Sequence, residues 1–276
     1  MSNKKPTAWR VAVYLTLIFL GLIFLMPVYV MLVTSVKSLN EVQVSSMWAL
    51  PKLLTTEGFK TAWTKMIRGV LNSILMTVPA TIISCMVGSM NGYCLSKWKF
   101  KGSNTLFTLV LFGMFIPYQS VLIPLVITLQ KVKLYNTIAG LILVHIIYGV
   151  PITTLIFRNY YATVPTELIE AGRIDGAGLL KTYWYIFLPV SAPAFAVVAI
   201  WQFTNIWNEF LFAVTLISDP LTQPVTVALQ NLSGSMISQW NVQMAGAIIA
   251  SAPTLLVYII LGRFFISGLM AGAVKG

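Results

Sequence analysis

Two groups of residues in this 276-residue sequence have types and spacing that suit specific contacts or chemistry. The first combines acids with small residues over less than two helical turns: Glu170, Ala171, Gly172, Asp175 and Gly176. The second places amides and one acid at helical spacing inside an apolar segment: Gln202, Asn205, Asn208 and Glu209. Carboxylates beside small residues suit docking to another protein. Amides and an acid at membrane depth need a polar partner, a water-filled cavity or a proton, and so suggest a solute pathway.

A catalytic constellation is missing from the sequence. It has no Gly-Lys dipeptide and therefore no phosphate-binding loop of the Walker type. Its seven acids form no cluster with metal-ligand spacing, and the single histidine, His145, is better interpreted as a hydrogen-bonded core residue. We therefore expect a protein that is not an enzyme and holds no cofactor or metal. Uphill transport would need an ion gradient or another subunit.

The elements that must position these residues are long apolar helices. Hydrophobic residues make up 58% of the chain, charged residues 9%, and mean hydropathy is +0.84. These values exclude a disordered chain, a nucleic-acid-binding arm and most soluble enzymes. A bilayer core about 30 Å thick needs about 20 apolar helical residues. Six stretches meet that length and predict an all-α polytopic membrane protein: Val11–Val36, Leu71–Leu95, Thr105–Leu129, Thr137–Phe157, Trp184–Val214 and Met244–Ile266.

The positive charges predict the orientation of these spans. The net charge of +11 lies in the loops between apolar runs, so it indicates membrane topology rather than a polyanionic partner. Lys97, Lys99 and Lys101 crowd one loop, whereas residues 218–241 contain no Lys or Arg. We therefore expect both termini in the cytoplasm. The first span is too long for the apolar core of a cleavable signal peptide, so we interpret it as a retained helix.

Small residues in the second span predict close helix packing. Ala80, Ser84, Gly88 and Gly92 recur every four residues and share one helical face. That face could pack within the chain, which we favour, or form a subunit interface. Cys85 and Cys94 lie on the same helix about 13 Å apart, which is too far for a disulfide. Eight prolines within the spans suggest helices that pack around something that changes shape.

The segment 158–182 between spans four and five differs from the other loops because it contains three of the seven acids. Leu168, Ile169, Ala171 and Gly172 predict a short helix with a small apolar face that docks into a groove of another protein. Gly176 is the predicted end of that helix. A helix lying on the membrane surface is the weaker alternative, because acidic side chains face anionic lipid poorly.

This segment resembles the EAA loop of ABC importer permeases. The matching residues are Glu170-Ala171-Gly172, Asp175-Gly176-Ala177 and, after the expected spacing, Ile186-Phe187-Leu188-Pro189. Gly172 stands where the family usually has a second alanine. Further matches point to the carbohydrate, MalG-like branch: Thr34-Ser35-Val36-Lys37, Trp207-Asn208-Glu209-Phe210-Leu211 and the tail Ser267–Gly276.

The resemblance implies the type I importer (MetI-like) fold, with residues 1–276 as one permease domain and 158–182 as its coupling loop. It implies a cytoplasmic ATPase dimer that carries ATP and Mg²⁺, a second, MalF-like permease and an extracytoplasmic solute-binding protein, in a prokaryotic inner membrane. Nucleic acid is not an expected partner. Glu170, Ala171, Gly172, Asp175 and Gly176 would couple to the ATPase. Gly272 and Lys275 in the tail would contact the ATPase as well.

The sequence alone leaves alternatives open. An ion-coupled secondary transporter would need intramembrane acids or inverted repeats, and the sequence offers one candidate acid, Glu209. That acid could instead lie at the membrane interface where its helix ends. A membrane scaffold disagrees with the EAA spacing. An ABC permease for a solute other than a sugar stays open, since Tyr118, Gln119 and Trp201, together with the amides, could bind a sugar or simply pack.

Overall fold

The computed structural model describes residues 7–98, 100–233 and 239–273, most of which are helical. A π-helix spans Tyr183–Phe187. The α-helices of the described residues are α1 (Thr7–Ser35), α2 (Glu57–Lys97), α3 (Ser103–Phe112), α4 (Leu122–Lys131), α5 (Ile138–Thr163), α6 (Glu167–Ile174), α7 (Leu179–Thr182), α8 (Leu188–Val190), α9 (Ala192–Asn208), α10 (Leu211–Leu216), α11 (Val225–Asn231) and α12 (Trp240–Ala273).

The described helices supply four continuous candidate spans and two bent ones. Helices α1, α2, α5 and α12 are each long and apolar enough to cross a bilayer. Two further pairs qualify if a bend is allowed: Ser103–Phe115 with Tyr118–Lys131, at 87°, and Leu179–Val190 with Ala192–Asn208, at 77°. The all-α membrane fold predicted from the sequence is confirmed, and six spans result when each bent pair counts as one.

Proline explains where the two bent spans break. Ile116, which precedes Pro117, is extended at φ −76° and ψ 116°, as the clash with a following proline ring favours. Pro189 and Pro193 flank the second bend at Ser191 and remove two backbone donors from the helical ladder. Other prolines do not break their helices, since Pro79 and Pro151 lie inside the continuous helices α2 and α5. A proline in a span therefore does not by itself interrupt that span.

The chain divides into two compact units, one made of the residues up to Ile67 with Leu229–Ser251, the other of Arg68–Ala228 with the residues from Ala252 onward. In the first unit Lys37 is 2% exposed, and its Nζ donates a 2.8 Å hydrogen bond to the carbonyl of Ser46. Asn241 Nδ2 donates to the carbonyl of Lys37 at 3.2 Å. These bonds hold the segment after α1 in place. The assignment of the whole chain to one permease domain stays a prediction.

In the second unit, the small-residue face of α2 packs against α5. A Cβ atom at Gly92 would lie 2.8 Å from Phe157 Cβ, so only glycine permits this approach of the two helices. Thr153 Oγ1 of α5 donates to the carbonyl of Ser84 at 3.1 Å. Packing within the chain, the interpretation we favoured, is confirmed. Cys85 and Cys94 are free thiols, as their spacing predicted.

A buried aromatic cluster of the second unit lies beneath α6 and will be called the sub-loop cluster. Its core draws on α2, α5, α6, the π-helix and α9, so one apolar centre joins the loop to three long helices. The buried members are Cys85, Tyr93, Phe157, Tyr161, Ile169, Tyr183, Phe187, Ala194 and Val198.

Candidate functional site

Helix α6 forms because its charges suit a short helix. Glu167 and Glu170 lie in the first turn and Arg173 in the last, so both ends complement the helix dipole. The carbonyl of Thr166 accepts hydrogen bonds from the backbone N–H groups of Ile169 and Glu170, at 2.9 and 3.2 Å. A short helix is thus stabilised at the position where the sequence predicted one.

The C-terminus of α6 is closed by a Schellman motif. Gly176 has φ +73°, a left-handed conformation in which a Cβ atom would be strained. The N–H of Gly176 donates to the carbonyl of Arg173 at 3.0 Å, and the N–H of Ala177 donates to the carbonyl of Gly172 at 2.8 Å. Gly176 therefore ends the helix, as predicted, for a conformational reason that no other residue meets as well.

The residues of α6 divide between two faces. Ile169 and Gly172, three residues apart, are buried against the chain itself. Leu168 and Ala171 are exposed, and Ile174 is 87% exposed. The sequence-based prediction that Leu168, Ile169, Ala171 and Gly172 form one apolar docking face is therefore wrong. Adjacent residues are separated by about 100° around a helix, so each neighbouring pair contributes one residue to each face.

The exposed face of α6 also contains the predicted contact residues. Glu170 and Asp175 are exposed, and so are Ala171 and Gly176. Gly172 differs from these four, because a Cβ atom there would meet Ile186 Cδ1 at 3.1 Å. The glycine that departs from the family pattern thus faces the segment Ile186–Pro189 rather than solvent.

The C-terminal end of α2 holds both ends of the loop. Lys97 Nζ donates to the carbonyl of Val164, which follows the last residue of α5. Tyr93 Oη donates to the carbonyl of Leu179, the first residue of α7, at 3.3 Å. The guanidinium of Arg173 lies 5.1 Å from the ring centroid of Trp98, a cation–π contact. Sequence reasoning missed these anchors, because it interpreted Lys97 and Arg173 only as topology signals and found no signal at Tyr93 or Trp98.

The four polar residues predicted around α9 lie in three different settings. Gln202 is 2% exposed, packs on Gly149, and its Nε2 donates to the carbonyl of His145 at 3.5 Å. Asn205 and Asn208 are exposed and share one helical face with Trp201, which is 40% exposed. Asn205 Nδ2 donates to the carbonyl of Trp201 at 2.8 Å. Only the two asparagines thus combine exposure with a shared face.

Glu209 lies at the point where α9 ends and α10 begins. Its carboxylate accepts from the backbone N–H of Phe212 at 2.9 and 3.0 Å, and from that of Ala213 at 3.3 Å. These donors replace part of the water that a carboxylate loses on burial. The acid therefore has the partners that partial burial requires, and of the two interpretations of Glu209 the geometry favours an acid at the exit of the helix.

The remaining candidate residues lie apart from α6 and the exposed face of α9. Within the described residues, no group of three or more His, Cys, Asp and Glu side chains could hold a metal ion. His145 is 5% exposed and meets the ring of Phe212 edge-on. Gly272 falls within the last turn of α12, and Lys275 lies outside the described residues.

Comparisons with known proteins found a family model, curated relatives and solved structures that match this chain. Residues 80–270 match the family described as "Binding-protein-dependent transport system inner membrane component". A probable ABC transporter permease protein of Pyrococcus horikoshii is 44% identical over the whole of both chains. The xylose/arabinose import permease protein XacI of Haloferax volcanii is 36% identical, covering 96% of this chain and 93% of the relative.

Among solved structures, the fold matches a chain of a bacterial ABC transporter involved in the import of the acidic polysaccharide alginate. The TM-score is 0.83 at 19% sequence identity, and the match covers 96% of this chain and 99% of the other. At this identity the likeness shows the fold.

Proposed function

This chain belongs to the family of binding-protein-dependent transport system inner membrane components, the permeases of ABC importers, and from that membership we propose that it imports a sugar and is driven through α6. Such a permease is a multi-pass membrane protein and a transport subunit. We propose that ATP and Mg²⁺ bind to a partner ATPase and not to this chain. We further propose that both termini lie in the cytoplasm of a prokaryotic cell, which places α6 on the side where ATP is available.

The observation that carries the proposed coupling is the division of α6 into two faces. Ile169 and Gly172 fix one face to the chain, while Glu170, Ala171 and Asp175 remain exposed on the other. A helix transmits motion only when it is rigidly attached on one side and open to its partner on the other. Carboxylates and a small side chain suit a groove lined with donors or cations on an ATPase subunit. In the tail, Gly272 and Lys275 stay candidates for a second contact.

Three further partners complete the proposed importer. A second permease, which the resemblance makes a different, MalF-like chain, would supply the other half of the pathway. A solute-binding protein would deliver the substrate from outside, in keeping with the description of the family. Membrane lipid would cover the exposed apolar side chains of α1, which run from Trp9 to Leu32.

The proposed substrate class rests on α9 and on the relatives. Trp201 offers an aromatic surface, and Asn205 and Asn208 offer amides on the same exposed face. Sugars are bound by such a combination of aromatic stacking and directed hydrogen bonds. XacI is a xylose/arabinose import permease by name. Gln202 is buried behind this face and Glu209 caps α10, and contact with solute is proposed only for the exposed residues.

Reconstitution tests the proposed function. The chain, co-expressed with candidate ATPase and permease subunits, should copurify with the ATPase in mild detergent. In vesicles without an ion gradient, it should take up a sugar only when ATP is supplied with the binding protein. Absence of the ATPase from the purified complex would contradict the proposal, and uptake that follows an ion gradient would support the secondary-transporter alternative instead. Ligand identification on the binding protein separates a sugar from another solute.

Charge reversal on the exposed face tests the coupling. We expect Glu170→Lys to abolish ATP-driven uptake and binding-protein-stimulated hydrolysis while the chain stays in the membrane, because a cation replaces the carboxylate offered to the ATPase. Glu57→Lys reverses an exposed acid in the first turn of α2 and serves as the matched control. Uptake by Glu170→Lys at the rate of the unmodified complex would remove Glu170 from the coupling.

A further inference from the structure

Four buried hydroxyl groups connect the elements around the sub-loop cluster. Ser89 belongs to α2, Tyr161 to the last turn of α5, Tyr183 to the start of the π-helix, and Ser191 to the bend before α9. Each of the four residues is at most 1% exposed. None of them belongs to the EAA pattern or to the polar face of α9.

The hydrogen bonds among these groups form one directed chain. Tyr183 Oη donates to Ser89 Oγ at 3.0 Å, and Tyr161 Oη donates to Ser191 Oγ at 3.1 Å. Ser191 Oγ in turn donates to the carbonyl of Leu188 at 2.9 Å. Ser89 Oγ and Tyr161 Oη lie 2.6 Å apart. A hydroxyl has a single proton, and that of Tyr161 is already committed, so Ser89 must donate to Tyr161.

This hydrogen-bonded chain joins two positions that matter for coupling. Tyr183 directly follows α7, where the segment that carries α6 re-enters the spans. Ser191 lies at the 77° bend, where Pro189 and Pro193 remove backbone donors on either side. The backbone ladder lacks two donors there, because a proline has no N–H and its ring clashes with the preceding turn. The side chain of Ser191 adds a hydrogen bond at the point where the backbone has lost some.

Ring packing alone does not require these hydroxyls. The ring centroids of Tyr93 and Phe187 lie 4.7 Å apart, and those of Tyr161 and Phe187 lie 5.5 Å apart. Phenylalanine at 161 or 183 would keep the aromatic surface. A fully satisfied buried network instead specifies one arrangement of its elements, because an alternative arrangement would leave hydroxyls unpaired at low dielectric.

We propose that the chain Tyr183–Ser89–Tyr161–Ser191 is the joint that fixes the coupling segment to the bend before α9, so that a displacement of α6 turns α9 with it. The four are positioning residues, since they act through α6 and α9. The inference rests on the proposed function, because the displacement comes from an ATPase on α6. Loss of these hydrogen bonds would let the bend before α9 flex, and ATP would then be hydrolysed without moving the face of α9 that contains Asn205.

The test measures solute taken up per ATP hydrolysed by the whole complex in proteoliposomes. Both Ser89→Ala and Tyr183→Phe should lower this ratio about tenfold, as the loss of a buried hydrogen bond of ordinary strength allows. Basal hydrolysis should stay within about twofold of the unmodified rate, since α6 is untouched. A purely structural defect would lower uptake and hydrolysis together and leave the ratio unchanged.

Two control variants remove hydroxyl groups outside this hydrogen-bonded chain, one buried and one partly exposed. Ser84→Ala deletes a buried hydroxyl of α2 that donates within its own helix, to the carbonyl of Ala80 at 2.7 Å. Tyr135→Phe deletes a tyrosine hydroxyl that lies 3.4 Å from Ser218 Oγ. Both variants should keep the ratio of the unmodified complex.

A double variant decides whether the bonds act as one unit. Ser89→Ala with Tyr183→Phe should be no worse than either single change, whereas independent effects would multiply to about a hundredfold loss. Three results would overturn this proposal: a multiplied loss in the double variant, an unchanged ratio in the single variants, or an equal loss in the controls. If the unmodified complex shows no ATP-driven uptake, the proposed function is wrong, and the proposed role of these hydroxyls is wrong with it.

Discussion

Two acids illustrate the contrast between the loop and the end of α9. Glu170 is exposed on α6, where its carboxylate is open to a partner. Glu209 is half-buried, and its carboxylate accepts backbone hydrogen bonds from Phe212 and Ala213. Both residues are glutamates beside small or polar neighbours, and the sequence pattern makes both functional candidates. The backbone around Glu209 uses that acid as a helix cap, whereas α6 leaves Glu170 exposed.

The same contrast holds for the uncharged residues. In α6 the buried pair is Ile169 and Gly172, and the polar side chains are exposed, as expected of an amphipathic helix. In α9 this distribution of buried apolar and exposed polar residues is partly reversed, because Gln202 is buried while Trp201 is 40% exposed. An exposed tryptophan beside exposed amides is not needed for packing within the chain. The comparison therefore separates residues that hold the structure from those offered to a partner or solute.

The largest effect should follow from filling the space at Gly172. Gly172→Leu introduces a side chain whose Cβ would already lie 3.1 Å from Ile186 Cδ1, so Ile186 or α6 must shift to make room for the rest of that side chain. We expect the free energy of unfolding to fall by about 1–3 kcal/mol, as overpacking costs in well-packed sites. ATP-driven uptake should be lost. Thermal unfolding of the purified permease and an uptake assay measure the two effects.

Ala171→Leu is the matched control for that substitution. Ala171 is exposed, so the added side chain should leave the melting temperature of the permease alone unchanged. It should still weaken copurification of the ATPase, because it enlarges the proposed docking face. If Ala171→Leu destabilised the isolated permease as much as Gly172→Leu does, the division of α6 into an anchored face and a docking face would be incorrect.

Sequence reasoning predicted the helices better than the faces they present. Apolar length alone located all six candidate spans, because an apolar run of about 20 residues is the length that a bilayer crossing requires. The bends at Ile116 and Ser191 depend on which prolines interrupt a helix, since Pro79 and Pro151 lie inside helices that stay continuous, and the π-helix has no signal in the sequence. The anchors at Lys97 and Tyr93 join residues far apart in sequence, which no local pattern reveals.

An intermediate effect should follow from removing the cap at Glu209. Glu209→Ala leaves the N–H groups of Phe212 and Ala213 without their carboxylate acceptor, which should cost about 1 kcal/mol of stability, as for other helix caps. ATPase copurification should be unaffected, because α6 does not change. A lower melting temperature of the complex would be the expected observation.

The comparison with Glu170 makes this experiment decisive. Glu170→Ala should lower the melting temperature of the permease less than Glu209→Ala does, because Glu170 contributes only an exposed charge at the helix N-terminus, and it should weaken the ATPase contact, which Glu209→Ala leaves intact. Glu209→Gln, which keeps one acceptor oxygen, should alter transport less than Glu209→Ala and leave ATPase assembly intact. Unchanged stability in Glu209→Ala would mean that the hydrogen bonds from α10 to Glu209 contribute nothing to stability and that this acid has another role.

The candidate site on α9 shows where a sequence pattern loses information. Gln202 and Asn205 are three residues apart and equivalent in the pattern, yet one packs on Gly149 and the other is exposed. The difference depends on Gly149 of α5, which leaves room for an amide between the helices. A pattern within α9 cannot reveal the glycine opposite it.

The smallest effect should come from the exposed amide. Asn205→Ala removes a side chain whose amide bonds only within its own helix, to the carbonyl of Trp201, so stability should change by less than about 0.5 kcal/mol, as at other surface sites. If this face contacts the sugar, the KM for uptake should rise a few-fold while basal ATP hydrolysis stays constant. Gln202→Ala should instead lower the melting temperature and leave KM unchanged, because it empties a buried position beside Gly149. A raised KM in Gln202→Ala with unchanged stability, and no effect in Asn205→Ala, would move the solute contact from the exposed face of α9 to its buried side.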